Sequence, residues 1–485
     1  MLKIKSLRGE EKMKCFTVLD LSMIIIYFLG MIWIGYIFSG KVSSTIDYYL
    51  AGRSLGAFVI MATVAASIIG GAALIGRGGV VYNQGIVGIL LALPYLIGMY
   101  CFSLISGRIQ LVGQKYNITS IPGLMEFRFS PGIKYITAIL IAFTMMATVG
   151  SQITAAATTF KIIGGFSYEN GAWLAVTVFV TYTLFSGLYG VVYTDVAQFI
   201  ILIVFIYMVL PIICILKMGG ISPLLNTLPS KMLHFDVNSQ IVGWIFTNLI
   251  FTLAGAEMWQ RAFAAKTPKD AKQGMLLGNT AYGLTIIISV FLGLSAVVLL
   301  PNLVEEFGTA DAAIPALVTY FLPMGLKGIT VAALIAVMMS SADTYLLISV
   351  QTIVSDIIKP LCNNKIDDKK ILTLSRIFTI ILGFGALIIA LYIRQAYHTL
   401  MFAWTFYAAS LGIPAIAALY WKKATTFGMW CGVLTGFFGS TIWGYLGSPY
   451  DIGPPIFGGV LCTIALIIGS YVTYNENNAT HFPEV

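Results

Sequence analysis

The sequence predicts an all-α integral membrane protein, and three observations support that prediction. First, 58% of the 485 residues are hydrophobic and only 10% are charged, a balance typical of chains that lie in lipid. Second, apolar runs long enough to cross a bilayer, which takes about 20 residues, occur thirteen times. Third, Lys and Arg lie scattered in short segments between these runs, which indicates a role in topology and not a nucleic-acid partner.

The predicted spans organise the whole chain. They cover residues 17–38, 57–82, 84–106, 133–158, 171–189, 194–216, 240–263, 275–300, 327–357, 371–393, 398–420, 427–447 and 455–474. We therefore expect an N-terminal tail at 1–16, one transmembrane domain at 17–474 and a cytoplasmic C-terminal tail at 475–485. The letters RGEEK directly before Met13 are what a purine-rich ribosome-binding site gives when read as codons, so Met13 is an alternative start.

The distribution of positive charge predicts the orientation. Counted in the loops together with the adjoining span ends, Lys and Arg number 17 after the odd-numbered spans up to span 11, and 5 after the even-numbered spans. Positively charged loops stay in the cytoplasm, so the N-terminus is predicted outside and the C-terminus inside a cell membrane, with a bacterial inner membrane favoured. The basic N-terminal tail opposes this orientation unless synthesis starts at Met13.

Several function classes lack their motifs. The six cysteines form no CxxC pair, the three histidines have no zinc-binding spacing, and no Walker loop for ATP is present. An aspartyl protease pair made of Asp195 and Asp343 would need a GxGD context, whereas the chain has YTDV and SADT there. We expect no enzyme. A transporter-like sensor or a passive channel stays open as an alternative to a carrier.

Span 9 contains the most unusual polar cluster. Ser340, Ser341, Asp343 and Thr344 lie in the middle of this apolar run. A carboxylate at that depth costs about 2.5–3.5 kcal/mol on insertion scales, so it usually faces a partner or a water-filled path. An oxygen-rich cluster suits a small hard cation. Alternatively, the hydroxyls bond to their own helix and Asp343 pairs with a buried cation.

Span 2 is rich in glycine. Its glycines are Gly70, Gly71, Gly76, Gly78 and Gly79. Each costs about 1 kcal/mol of helix propensity relative to Ala, so this helix can unwind and expose its carbonyl groups. Transporters built from inverted repeats place their sites at such interrupted helices, while close helix packing is the alternative explanation. Span 7 has weak points of its own at Asn248, Thr252 and Gly255.

Five motifs resemble the sodium/solute symporter family. They are YYLAGRSLG before span 2, SIPGLMEFRF after span 3, GLYGVVYTDVAQ into span 6, WQRAFAAKTPKDAKQG after span 7 and SSADTYLLISVQTIVSDIIK in span 9. Their order and the number of spans make the match specific, and it runs nearly end to end. The resemblance implies the leucine-transporter fold, with two inverted five-helix repeats at about 57–216 and 240–420. It also implies sodium-coupled import of a small solute by alternating access.

The resemblance further implies a site for Na⁺, the coupling ion, between spans 2 and 9. The family pattern places carbonyl ligands at Ala66, Ile69 and Val337 and hydroxyl ligands at Ser340 and Ser341. Positions 337, 340 and 341 share one helical face, as do 66 and 69. Val337 stands where the family usually has alanine. Five oxygens without formal charge suit a monovalent cation that binds weakly enough to leave.

Family members that couple two sodium ions imply a second cation site. The matching residues are Asp195, Ser340, Asp343 and Thr344. Asp343 replaces the hydroxyl usual in two-sodium carriers, so two carboxylates share one small site. Either a second sodium lies between them or one of them carries a proton, which keeps a proton-coupled carrier as an alternative. A favourable position in the helix macrodipole is the other explanation for Asp195.

The solute is expected between the broken parts of spans 2 and 7. The candidate residues there are Ala73, Arg77, Phe251 and Thr252. Ala73 stands where sugar carriers have glutamine, and the aromatic cage of choline carriers is missing at Ile68 and Gly255. Arg77 is a cation in the middle of a span, and a guanidinium pairs bidentately with a carboxylate. We therefore favour a small organic anion or zwitterion, unless Arg77 pairs with an intramembrane acid or extends to the interface.

Overall fold

The computed structural model describes residues 17–40, 44–235, 237–363 and 365–475. Within these ranges the chain is a bundle of helices without β-strands, and one isolated bridge joins Leu55 to Ala265. The predicted N-terminal tail, with the alternative start at Met13, lies outside the described residues, as does the predicted C-terminal tail after residue 475.

Twenty-one α-helices form the described chain. The first ten are α1 Val18–Ser39, α2 Thr45–Leu50, α3 Ala57–Ile68, α4 Arg77–Gln84, α5 Gly88–Lys115, α6 Ile121–Arg128, α7 Pro131–Gly164, α8 Tyr168–Leu202, α9 Leu210–Met218 and α10 Ser222–Thr227. The others are α11 Ser239–Ala254, α12 Ala256–Ala264, α13 Pro268–Leu299, α14 Leu303–Phe307, α15 Ala313–Phe321, α16 Leu326–Gln351, α17 Lys359–Leu361, α18 Asp368–Tyr392, α19 Ala396–Tyr420, α20 Thr426–Tyr445 and α21 Pro454–Thr473. Between them lie π-helical segments at Ala72–Gly76, Ile203–Val209 and Thr352–Ile358, and short 3₁₀ turns at Ala51–Arg53, Gly85–Val87, Ser230–Leu233, Ala310–Ala312 and Pro449–Asp451.

Every predicted span overlaps a helix or a pair of helices. Ten helical segments of the described chain are long and apolar enough to cross a bilayer, which confirms the prediction of a multi-pass membrane protein. The helix α3 is shorter, with 12 residues, because span 2 is interrupted after Ile68. The total of thirteen spans and the relation of two inverted repeats stay predictions.

Glycines set the interruptions. Spans 5 and 6 form one long helix, α8, bent at Gly187, whose φ of 52° lies in the left-handed region that glycine adopts readily. Span 7 is divided at Gly255, with φ −54° and ψ 112°, into α11 and α12. The second half, α12, is buried along its whole length, whereas α11 buries one part of its surface.

The helix α16, which corresponds to span 9, is the central element of the fold. It packs against α1, α3, α7 and α8. The most apolar stretch of the helical segment Leu326–Leu361 is completely buried inside the protein. Polar side chains of α16 therefore face other helices instead of lipid, as functional polar groups in membranes do.

The two ends of the bundle differ in charge. We call the end that carries α2, α6 and the segments 266–272 and 359–370 the basic end, because most of the loop Lys and Arg residues lie there. At the opposite end, the 3₁₀ turn Ala310–Ala312 and α15 pack against α4.

Candidate sodium and solute sites

The end of α3 exposes carbonyl groups at the centre of the bundle. The last carbonyls of a helix have no partner inside it. The N–H of Ile69 closes the helix by bonding to the Ala65 carbonyl at 3.0 Å. The carbonyls of Ala66 and Ser67 instead meet α16, so the interruption of span 2 supplies oxygen atoms to span 9.

The two central glycines of span 2 allow this approach. A Cβ atom on Gly70 would lie 2.4 Å from Ser341 Oγ, and one on Gly71 would lie 2.3 Å from Met338 Cγ. Such distances are shorter than packed atoms tolerate, so residues larger than glycine would push α3 away from α16. Both interpretations of the glycines in span 2 therefore apply: the helix is interrupted there, and it also packs closely against α16.

The serine pair joins the two helices. Ser340 Oγ lies 3.1 Å from the Ala66 carbonyl oxygen and 3.1 Å from the Val337 carbonyl oxygen. Ser341 Oγ lies 2.9 Å from the Ser67 carbonyl oxygen. Each hydroxyl can turn its hydrogen away and offer a lone pair to a cation, so these groups form a neutral, oxygen-lined site.

Most of the predicted sodium ligands are therefore neighbours. Ala66, Val337 and Ser340 meet at one hydroxyl, and Ser341 lies beside them on α16. Ile69 follows directly after α3 and its side chain is buried. The Ser67 carbonyl, which Ser341 Oγ contacts, was not among the ligands that the family pattern gave.

The predicted second cation site contains a guanidinium group. Arg261 on α12 places Nη2 2.6 Å from Thr344 Oγ1 and 3.9 Å from Asp195 Oδ2. The same nitrogen lies 3.2 Å from Ser67 Oγ and 3.3 Å from Thr63 Oγ1. Arg261 and Asp195 are both 0% exposed. The sequence analysis gave Arg261 no role in a site, although its span 7, residues 240–263, contains this residue.

The four residues predicted for the second cation site take part in separate sets of contacts. Asp195 accepts a hydrogen bond from Thr63 Oγ1 at 2.5 Å, on the side of Arg261. Asp343 accepts one from Thr183 Oγ1 of α8 at 2.7 Å. Ser340 engages the end of α3, as described above. Thr344 is thus the member that shares a partner, Arg261, with Asp195.

A small cavity lies beside the interruption of span 2. Its volume is about 20 Å³, which is room for about one water molecule. It is lined by Ile68, Ala73, Arg77, Leu91, Tyr95, Asn248, Tyr282, Tyr397, Leu400 and Trp404. Two of the four predicted solute residues, Ala73 and Arg77, are among them.

Arg77 is buried at this cavity, with 4% of its surface exposed. Its Nη2 donates to Tyr282 Oη at 2.8 Å, and the guanidinium carbon lies 5.7 Å from the centre of the same ring. Its Nε finds no hydrogen-bond partner among the described residues. No described carboxylate forms an ion pair with Arg77, so the alternative of an intramembrane acid partner is not realised in this conformation.

The other two predicted solute residues lie behind or away from the cavity. The Phe251 ring stacks on Trp404, with centroids 3.9 Å apart and planes at 8°, so it supports the cavity wall. Thr252 Oγ1 donates to the Leu249 carbonyl of its own helix at 2.7 Å. It also packs so closely on α5 that a Cβ atom at Gly98 would lie 1.9 Å from it. Thr252 therefore contributes helix packing.

Hydrogen bonds at the end opposite the basic end join α4, α19 and the segment 300–312. Asp311 Oδ2 accepts a hydrogen bond from the Ala396 N–H at 2.9 Å, which ties the 3₁₀ turn Ala310–Ala312 to the start of α19. Tyr82 Oη of α4 donates to the Leu300 carbonyl at 2.8 Å. At the basic end, a cavity of about 500 Å³ has a lining that includes Gln351 and Asp356, and it shares no lining residue with the small cavity.

Comparison with known proteins identifies the family. The family described as Sodium:solute symporter family matches residues 48–436. The chain belongs to this family. Membership of the family confirms four predictions. The protein is a symporter that uses Na⁺ as its coupling ion, it carries a small-molecule solute, it is a multi-pass protein of the cell membrane, and it is a carrier and not an enzyme.

Individual relatives of this symporter span nearly its full length. The osmoregulated proline transporter OpuE of Bacillus subtilis is 26% identical over 478 residues, which are 94% of this chain and 95% of the relative. The sodium/proline symporter of Escherichia coli is 25% identical over 468 residues, 92% of each chain. A solved structure of a Na⁺-coupled sialic acid symporter has the same fold, with a TM-score of 0.80 at 17% identity over 97% of this chain and 100% of that one.

Proposed function

We propose that this symporter imports a small solute bearing a carboxylate, with an amino acid of the size of proline as the first candidate. Sodium would bind between α3 and α16, at the predicted ligands Ala66, Ile69, Val337, Ser340 and Ser341. The choice of solute rests on one observation. The guanidinium of Arg77 is buried beside a cavity, and its Nε has no hydrogen-bond partner among the described residues.

The capacity of Arg77 supports a carboxylate ligand. A guanidinium has five N–H donors, and the contacts described above use one of them on Tyr282. A buried cation without a counter-charge is costly, and a carboxylate would supply both the charge and two acceptors. Two of the proteins named above, OpuE and the symporter of Escherichia coli, are proline transporters, and the carboxylate of proline fits this requirement.

The rest of the lining supports a compact, partly apolar solute. Tyr95 and Trp404 form one wall, with ring centroids 5.6 Å apart and planes at 21°. Tyr397, which accepts a hydrogen bond from Asn248 Nδ2 at 3.3 Å, lines the same cavity as Arg77. Flat aromatic walls of this kind pack well against a small ring. A long or highly hydroxylated solute would find few polar partners there.

The solute enters only if the helices move. A cavity of about 20 Å³ is too small for an amino acid, and a Cβ atom on Gly76 would lie 2.7 Å from the Tyr397 backbone nitrogen. Span 2 and α19 must therefore separate to admit a solute. Such a movement would open the cavity to one side of the membrane at a time, which is alternating access.

Sodium would promote solute binding because one interruption of span 2 serves both sites. The Ala66 carbonyl at the end of α3 meets Ser340, while Ala73 and Arg77, a few residues later, line the cavity. An ion that fixes the end of α3 also fixes the start of the cavity wall. Binding linkage requires the effect to be mutual, with a typical coupling of about 1–3 kcal/mol.

Uptake by proteoliposomes tests this proposal. We expect labelled proline or another small carboxylate to accumulate under an inward sodium gradient, and unlabelled carboxylates to compete better than their amides or esters. Arg77→Gln is expected to abolish the preference for the free acid. The matched control is Arg394→Gln, since Arg394 is exposed and pairs with Glu169 at 2.9 Å, and this variant should transport normally. Equal competition by acids and amides in the unchanged protein would contradict the proposal.

A further inference from the structure

We propose that a groove between α1 and α8 binds an anionic phospholipid, with an acyl chain along the groove and the phosphate at Arg376. The groove has a volume of about 710 Å³, and cavities of about 300–1,000 Å³ are typical of sites for organic ligands. Its lining includes Phe28, Met31, Ile32, Val178, Met339 and Arg376. We call it the α1 groove. It shares no lining residue with the solute cavity, so the inference goes beyond the proposed function.

One part of the α1 groove lies at mid-depth in the membrane. The helix α1 starts opposite the basic end, where Asp20 Oδ1 accepts a hydrogen bond from the Gly328 N–H of α16 at 2.9 Å. Both helices run from there toward the basic end, and Phe28 and Met339 lie about halfway along them. The groove borders the lipid, since Ile32 exposes 60% of its surface. An apolar groove at the depth of the lipid tails favours hydrocarbon over water.

The other part of the α1 groove lies at the basic end. Ser375 Oγ, in the residue before Arg376, lies 2.6 Å from Tyr49 Oη of α2, and α2 belongs to the basic end. Arg376 is exposed there and forms no ion pair with a described carboxylate. Long basic side chains near the ends of spans extend to the level of the headgroups. The groove thus changes from apolar to cationic in the direction in which a phospholipid changes from tail to phosphate.

The acidic residues near Arg376 in this region have other partners. Asp368, about two turns earlier on α18, accepts a hydrogen bond from Thr45 Oγ1. Asp47 caps α2 by accepting a hydrogen bond from the Ser44 N–H at 3.0 Å. Arg376 can therefore bind an external anion, and a guanidinium binds phosphate with two parallel hydrogen bonds. Basic pockets between transmembrane helices bind anionic headgroups in this way.

The net charge of the headgroup decides between the lipids. Phosphatidylglycerol has one negative charge, which one guanidinium neutralises. Phosphatidylcholine carries its own ammonium group beside the phosphate, so its headgroup gains less from Arg376. The single cation in the lining therefore favours the anionic lipid.

The α1 groove reaches the helix that carries the proposed sodium ligands. Met339 in its lining directly precedes Ser340 on α16. Tyr27 Oη of α1 lies 4.0 Å from Met339 Sδ and accepts a hydrogen bond from Gln198 Nε2 of α8 at 3.1 Å. A lipid in the groove would hold these three helices together. We therefore expect bound lipid to raise the melting temperature and to lower the half-activating sodium concentration; the second effect rests on the proposed sodium site.

Lipid binding to the purified symporter tests the inference. The probes are phosphatidylglycerol and phosphatidylcholine with the same acyl chains, added to delipidated protein in detergent. Native mass spectrometry measures binding, and the melting temperature gives a second readout. We expect phosphatidylglycerol to bind more tightly and to raise the melting temperature more. Equal binding of the two lipids would overturn the inference.

Variants of two exposed arginines test the position of the phosphate. Arg376→Gln should raise the dissociation constant for phosphatidylglycerol about tenfold and remove the preference over phosphatidylcholine. Arg394→Gln is the matched control, because Arg394 lies beyond the other end of α18 and pairs with Glu169, and it should keep the preference. An Arg376→Gln variant that retains the preference would contradict the inference. Since Arg376 is exposed, its replacement should not impair folding.

Filling the α1 groove tests the position of the acyl chain. Gly35 is part of the lining, and a Cβ atom there would lie 4.0 Å from Tyr182 Cε2, an ordinary contact distance. Gly35→Phe should therefore place its ring in the groove and exclude the lipid. Gly30→Phe is the matched control on the same helix, because nothing lies within 4 Å of a Cβ atom at that position. Equally tight binding of phosphatidylglycerol by both variants would refute the placement.

The effect on sodium activation can be separated from the effect of surface charge. Anionic lipid in proteoliposomes attracts sodium to the membrane surface whichever variant is present. Replacing phosphatidylcholine by phosphatidylglycerol should therefore lower the half-activating sodium concentration more for Arg394→Gln than for Arg376→Gln. Equal effects would refute the link between the groove and the sodium site. Sodium-driven uptake without any lipid preference would refute the lipid site and leave the proposed function standing.

Discussion

Replacing Ser340 by alanine should weaken sodium activation far more than it weakens the fold. Ser340 Oγ lies 3.1 Å from both the Ala66 and the Val337 carbonyl oxygens, so it is the hydroxyl at the centre of the proposed sodium ligands. A hydrogen bond to a charged group contributes about 1.5–3 kcal/mol, and we take the same range for the contact between one hydroxyl oxygen and a bound sodium ion. Since 1.4 kcal/mol corresponds to a factor of ten, the half-activating sodium concentration should rise by about 10- to 100-fold.

Ser340→Ala should affect the stability of the fold less than it affects sodium activation, and comparison with a matched control variant can separate the two effects. Without sodium, Ser340 loses ordinary neutral hydrogen bonds, which contribute about 0.5–1.5 kcal/mol. Ser349 lies on the same helix, is equally buried and donates to the Ala142 carbonyl at 2.7 Å. Ser349→Ala therefore removes the same kind of bond away from the proposed site. Both variants should show similar thermal stability in detergent without sodium.

The assay is the sodium dependence of solute uptake by proteoliposomes, with the amount of reconstituted protein measured for each variant. Linkage predicts that Ser340→Ala also lowers the apparent solute affinity at a fixed, subsaturating sodium concentration, and that saturating sodium restores it. A half-activating sodium concentration within about threefold of that of Ser349→Ala would refute the assignment of Ser340 as a ligand.

Three further predictions concern the interruption of span 2 and the solute cavity. Arg77→Lys should keep sodium binding and raise the KM for the carboxylate solute by about tenfold, because an ammonium replaces a bidentate contact by a single one; normal KM in uptake assays would argue against a direct contact. Gly70→Ala should lower the free energy of unfolding by about 1–3 kcal/mol and weaken sodium activation, because its Cβ would lie 2.4 Å from Ser341 Oγ. An unchanged melting temperature and unchanged sodium activation would argue against the close contact between span 2 and α16. Thr252→Val should leave the KM unchanged, since Thr252 bonds to Leu249 of its own helix; a raised KM would return Thr252 to the solute site.

The sequence analysis drew attention to the polar cluster of span 9 because its members lie close together in the chain. Ser340 and Ser341 are adjacent on one helix, and Val337 lies one turn earlier. The proposed ligands Ala66 and Ile69 lie on another span and needed the family resemblance. The glycines of span 2 likewise predicted an interrupted helix, and the interruption begins after Ile68. Local patterns of this kind need no knowledge of the packing.

The contacts of Arg261 could not be predicted from local patterns. The residue lies near the end of span 7, and nothing in the neighbouring sequence indicates its partners. Its burial depends on the interruption at Gly255 and on contacts with Ser67 and Thr344, which are 194 and 83 residues away in the chain. Such a cluster becomes visible only when three helices are assembled.

The aromatic lining of the solute cavity was missed for a related reason. Tyr95, Tyr282, Tyr397 and Trp404 come from α5, α13 and α19. Aromatic residues make up 13% of the chain, so no single position stands out. Arg77 was found because a cation within a span is rare, whereas a tyrosine within a span is common.

The most direct test of the central claim is to ask which ion gradient drives accumulation. Proteoliposomes containing the unchanged symporter are given an inward sodium gradient at equal pH on both sides, or an inward proton gradient in sodium-free buffer, each with labelled proline and other small carboxylates. The proposed site predicts accumulation above the external concentration with the sodium gradient alone. Accumulation driven by the proton gradient without sodium would contradict it and would assign the coupling to the buried acids Asp195 and Asp343.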